Sequence, residues 1–137
     1  MEKVERIGVS IDKKLLKKFD NIIKSKGYPN RSEAIRDLIR DKISQEKLTS
    51  PKINAVASIC LVYDHHSTTL MQKLLDLQHS HLIHTISSMH IHLDHHHCME
   101  IIVLKGQAAE IRKMADKITS FRDVKLGRIN MIPSDEL

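Results

Sequence analysis

The sequence lacks most of the features that mark membrane-spanning, secreted or disulfide-stabilised proteins. No run of about eighteen apolar residues occurs, so we expect no transmembrane helix. Two cysteines, Cys60 and Cys98, are too few for a disulfide framework in 137 residues. The first residues lack the apolar segment of a signal peptide, which favours the cytoplasm, where Cys98 stays reduced. Aromatic residues make up only 3% and tryptophan is absent, although 41% apolar residues still suffice for a folded core.

Charge and histidine are unevenly distributed along the chain. Residues 1–47 hold thirteen lysines and arginines against eight acidic residues, whereas residues 48–137 hold nine of each. All ten histidines fall in the second part, from His65 onward. The first part is therefore typical of a surface for a polyanion, and the second of a sensor or site domain.

The stretch "RIGVSI", residues 6–11, alternates in polarity as a half-buried strand does. A lone strand leaves its backbone groups unpaired, and about 45 residues bury too little apolar area to fold alone. Both problems disappear if two chains pair their strands and interleave the helices that follow. The paired ribbon would then present a polar face suited to the major groove of DNA. This face consists of Arg6, Gly8 and Ser10.

Two helices are predicted after this strand. Asp12 is placed to cap the first helix, whose apolar period ends at Gly27. The segment "NRSEAIRDLIR", residues 30–40, opens the second helix with a capping-box-like spacing. This βαα order resembles the ribbon-helix-helix family of DNA-binding repressors over residues 4–46. The resemblance implies that residues 1–47 form a DNA-binding domain.

The rest of the chain alternates strands with helices. It follows a linker at residues 45–52, in which Pro51 stops the second helix. The predicted order over residues 53–137 is βαββαβ, a ferredoxin-like arrangement. The sequence therefore predicts an α+β protein of two domains.

The segment "HTISSMHIHLDHHHC", residues 84–98, concentrates six histidines and a cysteine. Histidine is the commonest metal ligand, and a nearby thiolate raises the affinity for borderline and soft metals. Because residues i and i+2 of a strand share a face, His90 and His92 should project together. A tight connection through residues 94–97 would bring Cys98 beside both imidazoles. We therefore predict a metal site that includes these three side chains.

Two nitrogens and one sulfur leave at least one position open in every common metal geometry. The sequence offers several histidines for it, upstream or in the loop: His79, His81, His84, His95, His96 and His97. The residues that alternate with His90 and His92 along the strand are Met89, Ile91 and Leu93, and they are expected to project into the core. Cys60 is expected to be a small core residue of an apolar strand.

The segment "QHSHLIHTISSMHIHLDHHHCMEIIVLKG" resembles the metal-binding core of the nickel-responsive transcriptional regulators, and the likeness extends over residues 4–132. The resemblance implies an ACT-like regulatory domain joined to the ribbon-helix-helix, and a homotetramer that is a dimer of ribbon-helix-helix dimers. It also implies a square-planar Ni(II) site. On that pattern the ligands are His90, His92 and Cys98 of one chain and His79 of a neighbouring chain.

The same resemblance implies a second cation, for which Glu33, Asp37 and His65 are candidate ligands. Two features depart from the family pattern. The loop "DHHHC" is richer in histidine than the pattern requires, which favours additional weak metal sites. Gly8 stands where the family often has a side chain that reads bases, so specificity at that position is in question.

These features together predict a nickel-dependent repressor that binds double-stranded operator DNA, with nickel-uptake genes as the targets that the family implies. Two alternatives stay open: an ACT-type ribbon-helix-helix regulator that responds to a small ligand, and a regulator of another transition metal such as copper or zinc. An enzyme is not expected, because no HExxH motif is present and four protein ligands would leave no position for substrate.

Overall fold

The computed structural model describes residues 3–79 and 83–136, so the candidate ligand His81 lies outside the described residues. The chain divides into two compact units between Lys42 and Ile43. Its elements are α1 (Lys13–Ser25), α2 (Arg31–Lys47), β1 (Asn54–Asp64), α3 (Thr68–Gln78), β2 (Ile83–His92), β3 (His97–Gln107), α4 (Ala108–Thr119), β4 (Val124–Pro133) and a 3-10 turn (Ser134–Glu136). No helix of the described part is long and apolar enough to cross a membrane.

Both predicted helices of the first unit are confirmed. The Asp12 carboxylate accepts a hydrogen bond at 2.9 Å from the backbone N–H three residues later, which caps α1. Asn30 caps α2 in the same way, also at 2.9 Å. Gly27 follows α1 with a φ of 77°, a left-handed conformation that glycine adopts without strain. Because α2 continues to Lys47, the predicted linker begins as helix.

Residues 3–12 form neither helix nor strand in the single chain. Their apolar side chains are largely uncovered: Ile7 is 73% exposed and Val9 67%. The two helices also expose apolar residues, among them Leu15, Ile22, Leu38 and Ile39. Since a strand needs a neighbour for its backbone hydrogen bonds, the strand at residues 6–11 would form only with a second chain and stays a prediction.

The second unit has the predicted βαββαβ order. Its four strands form one sheet in the order β2-β3-β1-β4, and each neighbouring pair is antiparallel. Every second residue of β1, from Ala55 to Tyr63, is buried on the face that the helices cover. The main core lies between that face and helices α3 and α4, and it includes Ile59, Leu61, Leu70, Leu74, Ile102, Leu104, Met114 and Ile118.

Neither α3 nor α4 covers the opposite face, which we call the open sheet face. Residues directly opposite one another on paired strands share a face. The register therefore assigns to it Val56, Cys60, Val62, Met89, Ile91, Met99, Ile101, Val103, Leu126 and Ile132.

The prediction that Met89, Ile91 and Leu93 project into the core is wrong. Met89 is 58% exposed and Leu93 47%, whereas the histidines between them lie on the helix-covered side. Cys60 is likewise half-buried on the open sheet face and is not a core residue. Alternation shows that two sets of side chains point to opposite faces, but it does not show which face the helices will cover.

The close approach of β4 to the end of α4 requires glycine at position 127. A Cβ atom there would lie 2.4 Å from Thr119 Cγ2 and 3.3 Å from Leu61 Cδ2. Rotation of Thr119 would break the 2.9 Å hydrogen bond that its hydroxyl donates to the Ala115 carbonyl. We therefore expect Gly127→Ala to lower the free energy of unfolding by about 1–3 kcal/mol through overpacking.

Urea denaturation followed by circular dichroism measures this loss. Gly8→Ala is the matched control, because the added methyl group would have no atom within 4 Å. Equal stability of Gly127→Ala and the parent protein would contradict the close approach.

Candidate metal centre

The C-terminal ends of β1 and β2 and the N-terminal end of β3 lie together at one end of the strands of the sheet. The connection from β2 to β3 is a tight turn in which the Asp94 carboxylate accepts two backbone hydrogen bonds at 2.7 and 2.8 Å. The turn sets a register that pairs His92 with Cys98. On the other side Cys98 pairs with Tyr63, near the end of β1. The thiol is therefore held between the histidines of β2 and the residues that follow β1.

The fully buried Cys98 thiol is the centre of a compact cluster. Its Sγ atom lies 3.1 Å from His65 Nδ1 and 3.4 Å from His92 Nδ1. The three potential ligand atoms lie within 4.8 Å of one another, and both histidines are exposed. An open groove of about 530 Å³ runs alongside, lined by His65, His92, Leu93, Asp94 and His95. Two imidazoles and a thiolate are donors that nickel, copper and zinc accept, so these residues fit a transition metal that takes at least one further ligand.

His90 lies next to this cluster but has other hydrogen-bond partners. Its Nδ1 atom is 2.9 Å from Glu100 Oε2 and 3.0 Å from the Tyr63 hydroxyl. Its ring centroid is 4.9 Å from that of His92. The structure thus brings His92 against the Cys98 sulfur and places His90 beside them, while His65 takes the second position on the sulfur.

His79 is the C-cap residue of α3 and is exposed. Within the described part of the single chain it is not a member of the cluster. An exposed position at a helix end is accessible to a second chain. Its role as a ligand from a neighbouring chain therefore stays a prediction.

The remaining described histidines extend outward from the cluster. The His66 ring lies 5.2 Å from His65 and 6.4 Å from His96, measured between centroids. His97 Nδ1 contacts the Asp94 carboxylate at 2.9 Å. That contact and the backbone N–H groups of the turn lower the pKa of Asp94 to about 2. His84 and His95 are exposed.

Burial raises the pKa of the Cys98 thiol above its ordinary value. The carboxylates of Glu100, Asp94 and Asp64 raise it further, because negative charge nearby disfavours the thiolate. The metal-free thiol is therefore protonated at neutral pH. A metal binds the thiolate, so binding must release this proton and should tighten as the pH rises.

In the first unit, the carboxylates predicted for a second cation are paired with basic side chains. Glu33 forms an ion pair with Arg36. Asp37 lies 3.2 Å from Arg40 and accepts a 2.8 Å hydrogen bond from the Tyr28 hydroxyl. A cation would have to compete with both arginines. The residues predicted to contact DNA are exposed; these are Arg6, Gly8 and Ser10.

The contact of His65 with Cys98 and the contacts of Tyr63 and Glu100 with His90 were not among the predictions from the sequence. The signal present was the pair of histidines directly after the apolar strand β1. Their position beside the cysteine depends on the register between β1 and β3, in which residue 63 faces residue 98. That register is set by contacts between residues far apart in the sequence, so no local spacing reveals it.

Comparison with known proteins shows which families the two parts of the chain match. The NikR C-terminal nickel-binding domain matches residues 56–132, and the ribbon-helix-helix protein of the copG family matches residues 5–46. A protein of Solibacter usitatus with the name nickel-responsive regulator is 46% identical, over 96% of this chain and 94% of its own. The regulator of the same name from Pyrococcus furiosus is 47% identical, over 93% of this chain and 93% of its own. The one from Geobacter sulfurreducens is also 47% identical, over 96% of this chain and 94% of its own.

A ribbon-helix-helix domain followed by a metal-binding domain defines a metal-responsive DNA-binding regulator. The chain belongs to the family of nickel-responsive regulators. Its second domain is a nickel-binding domain and its first a DNA-binding domain, and the family consists of regulators and not enzymes. The predicted family, fold class and metal are confirmed.

Proposed function

We propose that this protein is a nickel-dependent transcriptional repressor. It binds operator DNA in the cytoplasm when Ni(II) occupies a site shared between two chains, and it controls genes for nickel uptake. The ligands are His90, His92 and Cys98 of one chain and His79 of a neighbouring chain. When bound, nickel would link the strand ends that carry His92 and Cys98 to His79 of the neighbouring chain.

The observation that carries this proposal is the buried thiol with imidazoles around it in a nickel-binding domain. Cys98 and His92 lie in contact, and His90 lies two residues before His92 on the same face of β2. Imidazole and thiolate donors together suit square-planar Ni(II). A fourth donor from outside the chain completes such a site, and His79 is exposed.

Two uncovered apolar surfaces support a homotetramer. In the first unit, the apolar residues of the predicted ribbon strand and several apolar residues of both helices are exposed, which favours pairing into ribbon-helix-helix dimers. In the second unit, the open sheet face exposes Met89, Leu126 and Ile132. Contiguous apolar surface of this kind marks protein–protein interfaces. One surface joins chains into dimers and the other joins dimers into a tetramer.

Metal binding and DNA binding are coupled in this proposal. Nickel favours an arrangement of the tetramer in which the two basic ribbons fit successive major grooves. By linkage, operator DNA must then raise nickel affinity by the same factor by which nickel raises DNA affinity. The regulation therefore needs no chemical step, only a difference in stability between two arrangements.

For a second cation, His65 has better structural support than the other two candidates. Its Nδ1 atom lies against the Cys98 sulfur and it lines the open groove. Glu33 and Asp37 are both paired with arginines. We therefore propose His65 as an additional ligand near the nickel site.

A regulator of copper or zinc is the competing proposal. It is favoured by the His65–His92–Cys98 cluster, since three donors of one chain plus one more could surround a tetrahedral zinc ion. The proposals differ in which metal raises DNA affinity. If the protein is a nickel regulator, only nickel should raise the DNA affinity strongly when the metals are compared at equal concentration. Copper and zinc should then bind with little effect on the DNA affinity.

The test is operator binding with each metal, measured by fluorescence anisotropy on a duplex selected from a random pool by the nickel-loaded protein. We expect Arg6→Ala to weaken binding by about 1–3 kcal/mol, because a base contact from the ribbon is lost. Affinity should also fall steeply with salt through the phosphate contacts of lysines. Lys125→Ala, in the other domain, is the control.

Two results would contradict the proposal. One is equal operator affinity with and without nickel. The other is operator affinity of Arg6→Ala that matches the parent protein at the same salt concentration.

A further inference from the structure

Three polar side chains from three strands form a closed group beside the metal centre. Glu100 Oε2 accepts a 3.1 Å hydrogen bond from the Tyr63 hydroxyl and lies 2.9 Å from His90 Nδ1. The Tyr63 oxygen is 3.0 Å from the same nitrogen. Glu100 is directly opposite His90 in the register of β2 and β3. Every member of the group thus contacts both others.

Two members of this group are largely withdrawn from water, whereas the His90 side chain is 34% exposed. Tyr63 is 1% exposed, and the Glu100 side chain is 13% exposed. A carboxylate in such a position is costly unless its oxygens accept hydrogen bonds. Here one oxygen has two donors available, the tyrosine hydroxyl and the imidazole. The tyrosine therefore fixes the carboxylate, and the carboxylate faces one nitrogen of His90.

The carboxylate determines which nitrogen of His90 can bind a metal. An ionised carboxylate only accepts hydrogen bonds, so the nitrogen that faces it must carry the proton. Nδ1 then donates to Glu100, and the lone pair is left on Nε2. A carboxylate in this role also fixes the ring orientation and raises the basicity of the free nitrogen. The other two histidines of the centre differ, since His65 and His92 turn Nδ1 toward the Cys98 sulfur.

We propose that Glu100, held in place by Tyr63, is a positioning residue that fixes His90 as an Nε2 ligand of the nickel site. The inference rests on the proposed function for the identity of the bound metal. The arrangement of the imidazole proton does not depend on metal and can be measured without it.

The first test is nitrogen-15 NMR of the imidazoles in the metal-free protein. In the parent protein we expect His90 to be the Nδ1–H tautomer. In Glu100→Leu the Tyr63 hydroxyl loses its acceptor and should donate to Nδ1, so the proton of His90 should move to Nε2. Glu100→Gln, whose amide oxygen still accepts a hydrogen bond, should keep the Nδ1–H tautomer. An Nε2–H tautomer in the parent protein, or no difference between the parent and Glu100→Leu, would overturn the proposal.

The second test is nickel affinity, measured by competition with a chelator and read from the sulfur-to-nickel absorption. Loss of a partner to a ligating histidine typically weakens metal binding roughly 10–100-fold, so we expect a loss in that range for Glu100→Leu. The loss of nickel affinity in Glu100→Gln should lie near the lower end of that range, because the glutamine keeps the hydrogen bond and lacks only the charge. Glu110→Gln, which removes a carboxylate on α4 that pairs with Lys113, is the matched control and should bind nickel normally.

The outcomes separate this inference from the proposed function. If the parent protein shows no sulfur-to-nickel absorption, the proposed function fails, and the tautomer measurement alone decides the role of Glu100. If the parent protein binds nickel and both Glu100 variants bind it equally well, the positioning role is overturned. If Glu100→Leu does not fold, by circular dichroism, the isosteric Glu100→Gln and Tyr63→Phe take its place. Tyr63→Phe should weaken nickel binding, and unchanged affinity in both replacements would overturn the proposal.

Discussion

Replacing Cys98 with serine should remove the sulfur-to-nickel charge-transfer absorption and weaken nickel binding by more than roughly a hundredfold, the most that loss of an outer partner of a ligand usually costs. Cys98 Sγ is the atom that both His65 and His92 approach, at 3.1 and 3.4 Å. A serine hydroxyl is a harder donor that does not ionise at neutral pH, so it cannot replace a thiolate. Nickel-dependent DNA binding should be lost as well, because the coupling requires an occupied site.

The second cysteine of the chain provides the matched control. Cys60 is half-buried and pairs with Ile101 on the open sheet face, whereas His90, His92 and Cys98 lie on the other face of the sheet. Cys60→Ser should therefore keep both the absorption and the affinity. A Cys98→Ser protein that retains the band and binds nickel as tightly as the parent would refute the assignment of Cys98 as a ligand.

A mixture of His79→Ala chains with Cys98→Ser chains should regain tight nickel binding that neither variant has alone. In the proposed site His79 comes from one chain and Cys98 from its neighbour, so an interface between unlike chains holds one complete set of ligands. With a two-fold interface and random mixing of equal amounts, half of the interfaces join unlike chains, and about a quarter of all sites are complete. Titration with nickel after subunit exchange measures that fraction directly.

The control for this experiment is a mixture of His92→Ala with Cys98→Ser. These two residues come from the same chain in the proposed site, so no interface of that mixture contains a complete set. Rescue in the first mixture and none in the second is the expected result. If exchange is confirmed by mass spectrometry and the first mixture still binds nickel weakly, His79 acts within its own chain or is not a ligand.

A ligand shared across an interface would also make nickel stabilise the assembly. Metal that binds only the associated chains shifts the association equilibrium by mass action. In the proposed function, the same reciprocity would couple nickel to DNA, because the basic ribbons would act as pairs. Loss of His79 should therefore weaken nickel binding, assembly and DNA binding together.

Local sequence determined the helices and the order of elements. Asp12 and Asn30 cap the helices of the first unit because their side chains accept hydrogen bonds from backbone groups a few residues away. Gly27 follows α1 because glycine adopts the left-handed conformation there without strain. The alternating strands and amphipathic helices of the second unit gave the βαββαβ order for a related reason. Each of these features depends on a period of two or about 3.6 residues along one segment. The motifs of the histidine-rich segment were specific enough to indicate the family.

Only the tertiary structure decided which side of the sheet is covered and which side chains reach the thiol. Alternation placed Met89 and His90 on opposite faces, but the position of the helices put the histidine on the covered side and left Met89 58% exposed. The contact of His65 with Cys98 and the group of Tyr63, Glu100 and His90 join residues between 10 and 37 positions apart. Such contacts follow from the register of three strands, which the packing of a whole face determines and no single segment encodes.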